Sequence, residues 1–128
     1  MTVLQKTYID PSDFAGVVND IIAATESVSG TLTAYAGGGQ ANGTALTAYI
    51  NRVTTVATAA DSVKLPAGTA GGDVIVINAA AANSMNVFPA TGEYINALSV
   101  NTALAVAAGK TVKFVCPVAG RWYAIVSA

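Results

Sequence analysis

Between Thr44 and Ala128 the only carboxylates are Asp61, Asp73 and Glu93. A pair of carboxylates flanking a glycosidic bond is what a glycoside hydrolase needs, one as acid and one as base or nucleophile. Each of the three, however, sits at a turn or strand edge, in "AADS", "GGDV" and "TGEY", where a solvated carboxylate is the ordinary reading. The chain has no histidine, which removes the commonest general base and the commonest metal ligand together. A Ser-His-Asp or Cys-His nucleophile is therefore impossible within it. Cys116 lies in "FVCPV" among bulky apolar residues, the setting of a buried structural thiol and not of an activated one. No closely spaced set of oxygen ligands resembles a calcium loop. The glycine runs "GGGQANG" and "AGTAGG" lack the lysine and the strand-to-helix setting of a phosphate loop. These residues predict no catalytic residue, no metal ligand and no cofactor, and a protein that is not an enzyme. Two features remain. Arg52, in the middle of "YINRVTTV", is expected to be exposed or to form an ion pair with Asp61, Asp73 or Glu93, across a subunit boundary if copies associate. Trp122 and Tyr123 could form a stacking surface for sugars, although an aromatic residue in a late strand is more often core.

The elements that would carry these residues are mostly strands. "ALTAYINRVTTVA" is rich in β-branched and aromatic residues, "SVKLP" stops at Pro66, and "DVIVIN" is a near-continuous apolar run typical of a central strand. "MNVF" ends at Pro89, "ATG" turns the chain into "EYINAL", and "ALAVA" with "GKTVKFVCP" forms a second hairpin candidate with Gly109 at its turn. "AGRWYAIVSA" follows. Turn signals every 8–12 residues or so suggest a sandwich or barrel. Pro66, Pro89 and Pro117 are read at strand ends, where a missing N–H does little harm.

Residues 1–26 read differently. Asp10 is a good helix N-cap, Pro11 fits the first helical position, and Asp13 favours the positive end of the dipole. Phe14, Val17, Val18, Ile21 and Ile22 recur on one helical face. A short amphipathic helix of this kind is marginal alone in water, so the stripe must pack on its own β domain or on a partner. Residues 27–43, small, polar and glycine-rich, read as a flexible tether with at most a short strand near Leu32 to Tyr35. A tether favours the partner. The expected organisation is thus an arm (1–26), a linker (27–43) and a β-sandwich domain (44–128).

Composition narrows the role. Of 128 residues, 53% are hydrophobic and only 10% are charged, against about 25% charged in ordinary domains. So few charges leave a monomer short of solubilising surface and point to a surface covered by other chains. The net charge of −1 and the absence of a basic cluster argue against nucleic acid. No stretch approaches the ~20 apolar residues of a membrane span, and "MTVLQKTYIDPSD" lacks the pattern of a secretory signal. The lone cysteine fits synthesis in a reducing cytoplasm.

The run from "NRVTTVATAADSVKLP" through "VFPATGEYINA" to "GKTVKFVCPVAGRWY" resembles a β-rich domain of virion proteins of tailed bacteriophages. The matching residues are Asp61 to Pro66, Val76 to Asn78, Val87 to Asn96, Gly109 and Trp122, within about two-thirds of the chain. They set turns and core more than they specify a task. The resemblance implies an all-β knob, usually trimeric, held on the virion by an N-terminal arm. Taken with the residue pattern, the expected fold is mainly β, an antiparallel β-sandwich or jelly-roll-like knob with one short amphipathic helix in the arm. The expected function is structural: a homotrimer decorating and stabilising a capsid from its exterior, made in the host cytoplasm. Phe14, Val17, Val18, Ile21 and Ile22 would then bury against the major capsid protein or one another. The alternative is a fibre or receptor-binding module for host glycans, using Trp122, Tyr123, Tyr94 and exposed asparagines.

Overall fold

The computed structural model describes residues 27–128. The helix expected from Phe14, Val17, Val18, Ile21 and Ile22 lies outside the described residues. Ten strands run in chain order: β1 (Val28–Thr33), β2 (Thr44–Ala45), β3 (Ile50–Thr55), β4 (Ser62–Lys64), β5 (Gly72–Asn78), β6 (Met85–Phe88), β7 (Tyr94–Ile95), β8 (Leu104–Val106), β9 (Thr111–Val118) and β10 (Arg121–Val126). They form a six-stranded sheet, ordered β1-β3-β5-β9-β10-β7, and a four-stranded sheet, ordered β2-β4-β6-β8.

The path through the first six strands corrects the expected antiparallel jelly roll. The chain alternates between the sheets, so β1, β3 and β5 are parallel neighbours in one and β2, β4 and β6 are parallel neighbours in the other. Each strand pair is one coil stacked on the last, a solenoid-like arrangement. β8 then runs antiparallel to β6, and β9 lies antiparallel between β5 and β10. Sheets of mixed direction result. The physical reason is at the corners. "PATG" after β6 does not fold the chain back on itself; it carries the chain to the other sheet, where β7 pairs with β10. Gly109, with φ of 80°, likewise takes the chain from β8 in one sheet to β9 in the other. Among the described strands only β9 and β10 are both consecutive and paired.

The stretch 27–43, expected as a tether, is part of the fold. It supplies β1, at the edge of the larger sheet, and a loop in which Gly38 passes against Ser62. A Cβ on Gly38 would fall 2.6 Å from the Ser62 Cβ, so the close approach demands glycine. Pro117 is inside β9 and not at its end, but it stands beyond the last β5 pairing, at Gly72 and Cys116, and where the β9–β10 register shifts. No ladder bond is lost there.

Alternate residues of the strands fill the space between the sheets. Val53, Val76, Val112, Phe114 and Trp122 of the larger sheet meet Val63, Met85, Val87 and Val106 of the smaller in one buried cluster. Two amides are buried with them. Asn51 Nδ2 donates to the carbonyls of Ala48 and Ile75, and Asn78 Nδ2 donates to those of Asn83 and Val106. Asn78 thereby satisfies backbone groups at corners, and Asn51 ties the corner before β3, at Ala48, to Ile75 within β5. Asparagine also shapes the corners directly, since Asn83, Asn96 and Asn101 adopt the left-handed conformation that it tolerates well.

Candidate functional site

The three carboxylates are separate structural devices, and the first departs from expectation. Asp61 is buried, 1% exposed, and not a solvated turn residue. Its Oδ2 accepts from Thr58 N at 3.0 Å and its Oδ1 from Gly37 N at 3.3 Å, which ties the loop after β1 to the start of β4. Glu93 places both oxygens on one donor, Gly68 N, at 2.9 and 3.1 Å. Asp73, on β5, accepts from the Tyr49 hydroxyl at 3.1 Å and lies 3.7 Å from Lys113 Nζ, in both cases through Oδ2. No two of them share a partner, so an acid and a base are not assembled from this set. No group of three or more His, Cys, Asp or Glu side chains comes together as a metal site among the described residues.

Arg52 meets none of the three within its own chain. Its Nη1 donates to Gly30 O at 3.0 Å, across the β1 edge. Cys116 is buried, and its Sγ donates to Val118 O at 3.1 Å. The aromatic platform expected for sugars is not brought together either. Trp122 is in the core at 2% exposure, while its neighbour Tyr123 points to the opposite face at 47%. The Tyr94 ring is covered by the Arg121 guanidinium, 4.1 Å from its centroid.

The core around Trp122 leaves no room at Gly68. A Cβ there would lie 3.0 Å from Cys116 Sγ, 3.1 Å from Trp122 Nε1 and 3.2 Å from Glu93 Oε1. Gly68→Ala is therefore expected to destabilise the fold by about 1–3 kcal/mol, as overpacked sites do. Urea unfolding checks this, and an unchanged midpoint would show that Glu93 and Trp122 yield freely.

What remains on the surface is the outer face of the six-stranded sheet. Val28, Ile50, Ile75, Lys113 and Ile125 are successive cross-strand partners, one row across five strands. Four inter-strand spacings make this row ~19 Å wide. Asp73, Val115 and Tyr123 form the row on one side of it, and Arg52, Ile77 and Thr111 the row on the other. Ile125 is 63% and Val28 62% exposed. Of the apolar residues in these rows Val28, Tyr123 and Ile125 are exposed, while Ile50, Ile75, Ile77 and Val115 are half-buried, which leaves apolar surface that a partner could cover. Beside Asp73 lies an open recess of about 280 Å³, lined by Gly71, Gly72, Asp73, Val115, Cys116 and Pro117. Charges of both signs, with Lys113 in the middle row, stand among the apolar residues, and no catalytic group is assembled on this face.

Val28, Ile50, Ile75, Ile77 and Ile125 were not singled out by composition or motif. For Ile75 and Ile77 the signal lay in "DVIVIN". A continuous apolar run belongs to a strand covered on both faces, and among the described residues one face of β5 is covered, by the smaller sheet. Phe14, Val17, Val18, Ile21 and Ile22 lie outside the described residues. Comparison with protein-family models, with curated proteins and with solved structures finds no match to this chain.

Proposed function

We propose that this chain is a structural protein of a bacteriophage virion, which self-associates as a homotrimer and stabilises the capsid from outside. Residues 1–26 are the attachment arm, and the apolar stripe Phe14, Val17, Val18, Ile21 and Ile22 is what the major capsid protein buries. The observation that carries the reading is the outer face of the six-stranded sheet, where a central strand turns Ile75 and Ile77 away from the core. Such a face is built to be covered. The consumption of Asp61 and Glu93 by backbone amides supports a scaffold in preference to a chemical site. The fibre-tip reading loses its platform with Trp122 in the core.

Attachment by three tethered arms would gain from effective concentration, and binding only the assembled shell would stabilise that state by mass action. Replacing Ile21 and Ile22 together with aspartate is expected to abolish co-sedimentation with capsids while leaving the circular dichroism of the β domain unchanged. Full attachment by the double variant would refute the arm. A single-chain mass for the wild-type protein in light scattering would refute the self-associating reading.

A further inference from the structure

The outer face carries a cation without a carboxylate at one end and a carboxylate with an open oxygen at the other. Arg52 spends one of the five N–H donors of a guanidinium on Gly30 O. Among the described residues no carboxylate approaches it. Of the three acidic side chains within the β domain, Asp61 is buried with both oxygens engaged, and Glu93 has both oxygens on Gly68. Asp73 alone lies on the same face as Arg52. Its two contacts share Oδ2, and its side chain is 38% exposed. Within one chain the two cannot meet. Arg52 is level with Ile77 across β3 and β5, four residues along the strand from Asp73, a separation of ~13 Å.

We propose that a second copy of this chain covers the outer face, with its Arg52 entering the glycine-lined recess at Gly71 and Gly72 to pair with Asp73. The occupant follows from complementarity. A partner for this face must offer apolar residues with a carboxylate on one side and an arginine on the other, leaving Lys113 on Oδ2 of its own Asp73, and the face itself is such a surface. The recess beside Asp73 is lined by Gly71 and Gly72, which carry no side chains, together with Val115, Cys116 and Pro117, and it offers a guanidinium a way to the open Oδ1. A charge pair made through that one oxygen sets register more than strength. Around a three-fold axis each face is shared between two neighbours, so that Arg52 of each copy meets Asp73 of the next.

This pairing rests on the self-associating reading, and the experiment separates the two. Wild type, Arg52→Asp, Asp73→Arg and the double reversal are compared by light scattering over a range of concentrations. Each single reversal sets like charges against each other and is expected to weaken association at least tenfold. The double reversal restores attraction and is expected to return association to within about threefold of wild type. If the singles associate as wild type does, or the double fails to recover, the pairing is wrong while self-association stands. If wild type is monomeric throughout, both ideas fall. Should Asp73→Arg disturb the fold, a short bis-maleimide cross-linker added to Arg52→Cys mixed with Asp73→Cys provides the second reading, because an Arg–Asp pair holds its Cα atoms beyond the reach of a disulfide. A covalent dimer of the two variants is expected, because each carries only one of the two introduced cysteines and cannot close the link within itself. No dimer from two folded variants overturns the proposal.

Discussion

Asn78→Ala is expected to lower the free energy of unfolding by about 3–5 kcal/mol, a large share of what a domain of this size has to lose. The side chain is fully buried at the end of β5. Its Nδ2 donates to Val106 O at 2.9 Å and Asn83 O at 3.1 Å, and its Oδ1 accepts from Ala80 N at 3.2 Å. These partners belong to three segments: β8 in the opposite sheet, the corner after β5, and the approach to β6. Truncation leaves all three groups without their partner; at the buried Val106 O this costs about 1–3 kcal/mol, while at Asn83 O and Ala80 N, nearer the surface, it costs less. It also opens a cavity against Val106. Asn78→Asp keeps the shape and the contact with Ala80 but turns both donors into acceptors facing carbonyls, so it is expected to be no better tolerated. Urea unfolding at one fixed protein concentration checks both, since self-association makes the midpoint depend on concentration. A loss below about 1 kcal/mol for alanine would mean that the corners hold without this amide.

Trp122 supplies the second large effect and an internal control. It is the largest fully buried side chain and sits in the cluster with Phe114, Cys116 and Ile95. Trp122→Ala is expected to cost about 3–5 kcal/mol, the usual range for removing a large aromatic from a core. Its Nε1–H has no hydrogen-bond partner. Trp122→Phe therefore removes an unsatisfied donor along with some volume, and the two changes oppose each other. The expected loss for phenylalanine is under about 2 kcal/mol. The two variants are compared by the same unfolding experiment, with circular dichroism as the probe because tryptophan emission is lost. Equal losses would show that Nε1 is satisfied in solution and that the indole is held by more than packing.

Most of the strands were legible, and their pairing was not. "DVIVIN", "MNVF" and "KTVKFVC" announce themselves through β-branched residues and alternation, and the structure has strands at each. What the pattern cannot convey is partner choice. A corner between sheets and a hairpin within one use the same residues: glycine or asparagine in a left-handed conformation and proline at a strand end. Gly109 and Gly120 have nearly the same φ, 80° and 76°, yet one connects different sheets and the other closes the β9–β10 hairpin. The usable clue was longer in range. Ile50 pairs with Ile75 and Val63 with Val87, some two dozen residues apart in each case, which is a coil period. At the candidate surface the residue types of Arg52 and Asp73 were legible. Their shared face was not, because it depends on the register of β3 against β5. The burial of Asp61 was hidden for a related reason, since its amide partners Gly37 and Thr58 come from loops that meet only when the coils stack.

The coiled order of the strands also governs the sequence of events during synthesis. As the chain leaves the ribosome, β1 to β6 can wind in the order in which they emerge, each strand finding its parallel neighbour one coil earlier. β5 is the exception, because its other neighbour is β9, more than thirty residues downstream. Until Thr111 to Val118 have emerged, the nascent molecule carries an open edge made of Val74, Ile75, Val76 and Ile77, apolar toward both faces. Unpaired edges of that kind recruit other chains, and non-local pairing of this sort is slow to form. Yield in the producing cell is thus decided by how quickly β9 inserts, a race between translation and collision among unfinished chains that the finished protein no longer has to run.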